Sequence, residues 1–89
     1  MRRIYTSIDL GSDTTKAICC ELFNGKLHLL ASSTIKSEGI RKSVITNPDL
    51  VLSTVTKAIS ELENDIGIKI EKVLVNVPSY SFRFNSRRS

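Results

Sequence analysis

The residues with the clearest chemical potential lie close together, in the stretch IDLGSDTTKA at residues 8–17. Asp9 offers a carboxylate that could hold Mg²⁺ through water, and Lys16 offers a mobile cation. Gly11 can adopt backbone angles that other residues avoid, and successive turn N–H groups can point into one concavity that holds an anion. Ser12 adds a hydroxyl donor. The spacing is typical of a phosphate-binding turn, and it is also found in ordinary hairpin turns.

The sequence on either side of this stretch predicts strands. Residues 3–10 alternate with period two, which is the signature of a strand. Residues 15–23 are rich in apolar side chains and are followed by Asn24-Gly25, the dipeptide that best fits a type I′ hairpin turn. A third strand then covers residues 26–35. The pattern predicts a three-stranded antiparallel meander whose first turn is GSDTT.

A helix is predicted after a link. Residues 36–43, KSEGIRKS, show no period and indicate a connection. Asn47 and Pro48 then form a helix start, because Asn caps helices well and Pro is tolerated at the first helical position. Apolar residues recur at helical spacing up to about Asp65, and Gly67 is well placed to end the helix. The predicted buried positions are Val51, Val55, Ala58, Ile59, Leu62 and Ile66.

One more strand follows the helix. Residues 72–77, KVLVNV, form a short apolar run of the kind that is buried on both faces of a sheet. A strand reached through a helix is usually parallel to its neighbour in the sheet. Beyond it, Phe82 and Phe84 alternate within residues 79–89, which we expect to begin a further unit. A single helix covers one sheet face and leaves both edges open, so we expect marginal stability or self-association.

The composition excludes several classes of function. With 89 residues, 40% of them hydrophobic and 25% charged, the chain fits one small water-soluble domain. The net charge is +4 and the surplus lies near the two ends, so nothing indicates nucleic-acid binding. No apolar run approaches the roughly 20 residues of a membrane-spanning helix, and the start does not resemble a signal peptide. These features predict a cytosolic protein.

Cysteine and histidine give no sign of a metal or redox site. Cys19 and Cys20 are neighbours in a predicted strand, where their side chains would point to opposite faces. Because no partner ligands are spaced for metal binding, we expect both to be small buried apolar residues. His28 stands alone and is expected on a strand face.

The strand pattern and the DLGSDTTK turn together resemble the first half-domain of the actin, sugar-kinase and heat-shock-ATPase superfamily, whose first phosphate loop is this strand-turn-strand. Within it, the sequence is most similar to the FtsA family of bacterial cell-division proteins. The resemblance runs over about residues 3–79 and rests on SIDLGSDTTKAICCEL, on GIRKSVITNPDLVLSTVTKAISELE and on IEKVLVNVPS. The GIRKSVI link is the most specific of these, because many relatives share the phosphate loop.

The resemblance implies an α/β fold, namely an incomplete ribonuclease-H-like or actin-like half-domain. Residues 1–78 would be part of an actin-like ATPase subdomain, and residues 79–89 would begin the inserted subdomain of FtsA. FtsA-like proteins bind ATP with Mg²⁺ between two domains, polymerise like actin and tether the tubulin-like protein FtsZ to the membrane. The resemblance thus implies a cell-division protein at the cytoplasmic face of the cell membrane, at the septum.

The resemblance also implies roles for particular residues. Asp9 would bind Mg²⁺ through water. The residues expected to contact phosphate are Gly11, Ser12, Asp13, Thr14 and Lys16. We expect little or no ATP hydrolysis from residues 1–89 alone, because a phosphate clamp that is open to water on one side lacks positioning and desolvation.

Three features depart from the family pattern. Asp13 stands where the family has a small or hydroxyl residue, and a carboxylate in a phosphate site repels the ligand unless it turns outward or faces a metal. Ser43 replaces the usual Gly of the link. The chain ends where FtsA enters its inserted subdomain, so we expect the second phosphate loop, the adenosine pocket and the C-terminal amphipathic membrane helix to lie outside it.

Two other functions fit the sequence. The first is a small non-enzymatic protein-interaction domain in which the GSDTT turn is only a turn. The second is a fragment of a sugar kinase or a heat-shock ATPase, which shares the phosphate loop but not the GIRKSVI link.

Overall fold

A computed structural model describes residues 3–42, 44–77 and 80–85 of the chain. The strands and the helix of these residues are β1 (Arg3–Leu10), β2 (Thr14–Phe23), β3 (Lys26–Lys36), β4 (Ile40–Arg41), β5 (Val44–Ile45), α1 (Pro48–Ile66), β6 (Lys72–Val77) and β7 (Tyr80–Asn85). One sheet has the order β3-β2-β1-β6-β7, and β4 and β5 form a separate small hairpin.

The central strand of the sheet is β1. It pairs with β2 in antiparallel fashion and with β6 in parallel fashion. The predicted meander is confirmed, and so is the parallel strand after the helix. The turn between β2 and β3 has positive φ at Asn24 (52°) and at Gly25 (74°), as the type I′ prediction requires.

Local side-chain chemistry sets both ends of α1. At the start, the Asn47 side chain accepts hydrogen bonds from the backbone N–H groups of Asp49 and Leu50, at 3.1 and 3.3 Å. At the end, Gly67 adopts a left-handed conformation and its N–H donates to the Glu63 carbonyl at 2.8 Å. The predicted caps are confirmed, and the helix is one residue longer than expected.

The core lies between α1 and one face of the sheet. Ile8, Val75 and Leu62 are fully buried there. Of the predicted helix positions, all are buried except Ile66, which is half-buried. Thr54 is also buried and was not predicted; its hydroxyl donates to the Leu50 carbonyl at 2.9 Å, which allows a polar side chain in the interface.

The link before the helix is more ordered than the sequence predicted. Residues 36–43 were expected to be an irregular connection, but β4 lies within this segment and pairs with β5, which follows it at Val44–Ile45. Gly39 has φ +83°, and its carbonyl accepts the N–H groups of Thr46 and Asn47 at 2.8 and 3.1 Å. A Cβ at Gly39 would overlap the Asn47 carbonyl oxygen, so the link fits closely against the helix start. Ser43, where the link departs from the family pattern, lies outside the described residues.

Residues 80–85 form β7, an antiparallel neighbour of β6 in the same sheet. Phe84 is half-buried and packs against the core. The side chain of Phe82 and the residues 78–79 and 86–89 lie outside the described part of the chain. The start of an inserted subdomain at residue 79 stays a prediction.

The sheet face opposite α1 is open. The strand 72–77 was predicted to be buried on both faces, but Leu74 is 43% exposed because no element of the described residues covers this side. Ile18 and Leu74 flank Ser7 across three neighbouring strands, and both are exposed. Cys20, predicted to be buried, is only half-buried on this face, whereas Cys19 on the other face is fully buried. We call this surface the open face; its other apolar members are Tyr5, Leu22, Leu27 and Leu29.

We expect the chain to self-associate through the open face, because contiguous exposed apolar surface is costly in water. Ile18→Lys should shift the weight-average mass in sedimentation velocity towards the monomer. Leu52→Lys is the matched control, since Leu52 is also about half exposed but lies on α1. A chain that stays monomeric at every concentration, or an equal effect of both variants, would contradict this prediction.

Candidate nucleotide-phosphate site

The predicted chemistry gathers at the edge of the sheet where β1 and β6 end. A cavity of about 410 Å³ opens there, which is within the size range of small-molecule sites. Its lining residues are Asp9, Leu10, Gly11, Thr14, Lys16, Asn76 and Val77. The cavity therefore brings together a carboxylate, an ammonium group, a turn and a carboxamide.

Strand pairing places the charged groups of this site in one row. Asp9 is directly opposite Lys16 in the β1–β2 ladder and directly opposite Asn76 in the β1–β6 ladder. Paired residues share a face, so all three side chains lie on the open face. Asp9 and Lys16 are both exposed. This row is fixed by backbone hydrogen bonds and does not depend on a flexible loop.

Lys16 is available for an anion. Among residues 3–42, 44–77 and 80–85, the Lys16 ammonium group makes no ion pair and no hydrogen bond, even though Asp9 is its cross-strand neighbour. An exposed ammonium group on a long stem keeps its freedom until a ligand arrives. The site thus combines one positive and one negative side chain that do not neutralise each other in direct contact.

Gly11 shapes the turn in a different way from the one expected. Its φ angle is not positive, and its N–H donates to the Thr14 carbonyl at 3.0 Å. This N–H is therefore used inside the turn and does not face the cavity as part of an anion-binding nest. A Cβ at Gly11 would come within 2.8 Å of the Thr14 carbonyl oxygen. Glycine is required here because the two backbone segments approach closely.

The turn is anchored by Ser37, the residue that follows β3. The N–H of Ser37 donates to the Asp13 carbonyl at 3.0 Å. The hydroxyl groups of Thr15 and Ser37 form a buried hydrogen bond of 2.7 Å, and Thr15 is fully buried. Buried, satisfied polar pairs hold backbone segments in one arrangement. The turn is consequently held in place before any ligand binds.

The structure brings together only part of the predicted phosphate-binding set. Gly11, Thr14 and Lys16 line the cavity, whereas Ser12 and Asp13 are exposed at the tip of the turn and do not line it. Asp13 is thus an exposed residue outside the cavity lining.

Asn76 was missed by the sequence analysis. It lies in an apolar strand whose alternate residues Val73, Val75 and Val77 are buried, and nothing local marks it as part of the site. The one available signal was its polarity within a strand that is parallel to β1, since the carboxyl ends of parallel neighbours meet at the same edge. Its hydrogen bond with Asp9 can be inferred only when the register between β1 and β6 is known.

The donor set fits a cation that is bound mainly by water and phosphate. Within the described residues, no group of three His, Cys, Asp or Glu side chains could hold a metal ion. Asp9 is a single carboxylate at the cavity, and Mg²⁺ commonly uses one or two carboxylates together with waters and substrate phosphates.

His28 lies exposed on β3, as predicted, with its ring edge-on to Phe23 at 6.4 Å.

The described residues contain no helix that is both long and apolar enough to cross a membrane. The helix α1 carries three acidic residues in its last two turns, at Glu61, Glu63 and Asp65.

The close fit at Gly11 gives a prediction. Gly11→Ala should lower the free energy of unfolding by about 1–3 kcal/mol, the usual effect of forcing an extra group into a packed position. Urea unfolding followed by circular dichroism measures it. Asp13→Ala in the same turn is the control, since the Asp13 side chain is exposed, and it should change stability by less than about 0.5 kcal/mol. Equal stability of both variants would mean that the turn adjusts freely.

Comparison with known proteins identifies a family. The chain is 32% identical to the cell division protein FtsA of Streptococcus pneumoniae serotype 2 and 30% identical to that of Bacillus subtilis strain 168, each over 74 residues. The FtsA of Enterococcus faecalis strain V583 is 24% identical over 76 residues.

These matches cover 83–85% of the chain but only 16–17% of each relative, so the chain spans about a sixth of their length. No protein-family model matches the chain. Three FtsA proteins from different bacteria nevertheless align with most of it, and the observed sheet order is compatible with an incomplete actin-like half-domain. Over the matched residues, the chain belongs to the FtsA family of cell-division proteins.

Proposed function

We propose that the turn between β1 and β2 binds the phosphates of Mg²⁺-ATP, and that the chain supplies one half of an actin-like nucleotide site in a cell-division protein. One observation carries this proposal: Asp9, Lys16 and the Gly11 turn converge on a single cavity in a chain that is related to FtsA. The relatives are named for cell division, and we extend that role to this chain.

Each lining residue has a task in this proposal. The Lys16 ammonium group binds a phosphate oxygen as a mobile point charge. Asp9 receives the hydrated Mg²⁺ that accompanies the nucleotide. Gly11 allows the turn to close tightly, and the Thr14 side chain adds a hydroxyl group beside it. Bound Mg²⁺ would supply positive charge between the carboxylate and the phosphates.

The chain by itself binds but does not hydrolyse efficiently in this proposal. Asp9 and Lys16 are exposed, so water has access to the phosphate groups from the open face. Efficient phosphoryl transfer needs a positioned water and charge stabilisation from which bulk water is excluded. A second half-site, contributed by other parts of an actin-like protein, would supply both.

The wider role rests on the resemblance to the FtsA family and stays part of the proposal. The chain would act within a protein that polymerises and binds FtsZ at the cytoplasmic face of the division site. Contact with the membrane would come through a C-terminal amphipathic helix of that protein, as the resemblance to FtsA implies.

The open face favours a second candidate function. Its exposed apolar side chains, such as Tyr5 at 51% and Leu29 at 63%, are the kind of surface that a protein partner covers. In this alternative the chain is a non-enzymatic interaction domain, and the Gly11 turn only connects two strands. The two functions differ in whether the cavity binds nucleotide.

The central test is nucleotide binding by Lys16→Ala. Titration of the isotope-labelled chain with Mg²⁺-ATP should shift backbone amide signals of the Gly11 turn and of the end of β6. Lys16→Ala should weaken binding by about 10- to 150-fold, since one hydrogen bond to a charged group contributes about 1.5–3 kcal/mol. Lys57→Ala is the control, because Lys57 is an exposed cation on α1, on the other side of the sheet.

Two outcomes would contradict the phosphate site. One is an amide spectrum that does not change with Mg²⁺-ATP. The other is an equal loss of affinity in Lys16→Ala and Lys57→Ala, which would indicate unspecific attraction to net positive charge. Either outcome would favour the interaction domain.

The outward position of Asp13 gives a separate prediction. Asp13→Ser should raise the affinity for Mg²⁺-ATP by no more than about threefold, because an exposed charge outside the cavity acts on the phosphates only through screened, long-range repulsion. The same titration measures it. A gain of about a hundredfold would show instead that the carboxylate enters the cavity when the ligand is present.

A further inference from the structure

Asn76 is an exception in its strand. The sequence of β6 is KVLVNV, and Asn is unfavourable inside strands because it has little to pack and competes for backbone hydrogen bonds. The residue two positions before it on the same face is Leu74, which is apolar. Residues that do not suit their local secondary structure are found most often at functional sites. The neighbours of Asn76 indicate which task this is.

The Asn76 carboxamide contacts two side chains of β1. Its Nδ2 donates to Oδ1 of Asp9 at 3.0 Å and to Oγ of Ser7 at 3.2 Å. The nitrogen must face the carboxylate, because an amide oxygen in that position would offer no hydrogen. Two contacts on one strand fix the plane of the carboxamide, and the shorter one restricts rotation of the Asp9 carboxylate.

This restriction matters because Asp9 is exposed at the end of its strand. An exposed carboxylate samples several orientations, and ordering it on binding costs free energy. A donor on the neighbouring strand removes much of that cost in advance. An amide also adds no negative charge, so the cavity remains acceptable to an anionic ligand that carries its own cation.

We propose that Asn76 is a positioning residue that orients the Asp9 carboxylate towards the hydrated Mg²⁺ of a bound nucleotide, a role that rests on the proposed function. It acts through Asp9 and need not contact the metal or the nucleotide. Outer-shell partners of this kind typically change metal affinity by about 10–100-fold when they are removed. The contribution of Asn76 therefore exists only when the cation is present.

The test compares ATP binding with Mn²⁺ and ATP binding in EDTA, each measured by isothermal titration calorimetry. Asn76→Ala should weaken Mn²⁺-ATP by about tenfold and metal-free ATP by less than about twofold. Asn64→Ala, the same change at an exposed helix position, should leave both unchanged. Equal weakening in the two conditions, or none in either, overturns the proposal.

A second variant separates positioning from folding. Asn76→Val removes the donor but suits a strand well, so it should fold at least as stably as the unmodified chain and still lose Mn²⁺-ATP affinity. In an Asp9→Ala background, Asn76→Val should cause no further loss, because it acts through that carboxylate. Independent, additive losses would overturn the positioning role.

A titration with Mn²⁺ in the absence of ATP distinguishes failure of the positioning role of Asn76 from failure of the proposed nucleotide binding. If the chain binds ATP in neither condition, nucleotide binding by the chain is refuted. Paramagnetic broadening of the Asp9 and Lys16 amide signals by Mn²⁺ then decides the role of Asn76. We expect strong broadening in the unmodified chain and weak broadening in Asn76→Val. Equal broadening in both, or none in either, would refute it.

Discussion

The pairing of β1 on both of its edges is the constraint on which the rest of the structure depends. On one edge it forms an antiparallel ladder with β2, and on the other a parallel ladder with β6. The first ladder needs only a tight turn, whereas the second needs a helix to carry the chain back across the sheet. The same pairing that builds the core therefore sets Lys16, Asp9 and Asn76 at one level along the sheet.

The two faces of this sheet serve different purposes. On the covered face, Ile8, Cys19 and Val75 belong to the buried core that also contains the apolar side of α1. The polarity of the open face increases along the sheet, from exposed leucines near the β2–β3 turn to charged and amide groups near the cavity. Since α1 and its link lie on the covered side or at the edge, the cavity remains accessible without any movement of the core.

Local chemistry determined what the sequence could predict. The Asn24-Gly25 turn and the Asn47 and Gly67 caps were found because each depends on a few adjacent residues. The β4–β5 hairpin was missed because strands of two residues have no detectable period. The exposure of Leu74 was missed because periodicity says which residues share a face, and not whether that face is covered.

The candidate site likewise has one part that could be predicted from the sequence and one part that could not. Its turn was predictable from residue types at short spacing, although Gly11 is required by a close backbone approach and not by an unusual φ angle. Asn76 was not predictable, because its partner Asp9 is 67 positions away in sequence. A ligand that recognises the finished row binds only completely folded molecules, and by mass action it stabilises the whole sheet against unfolding.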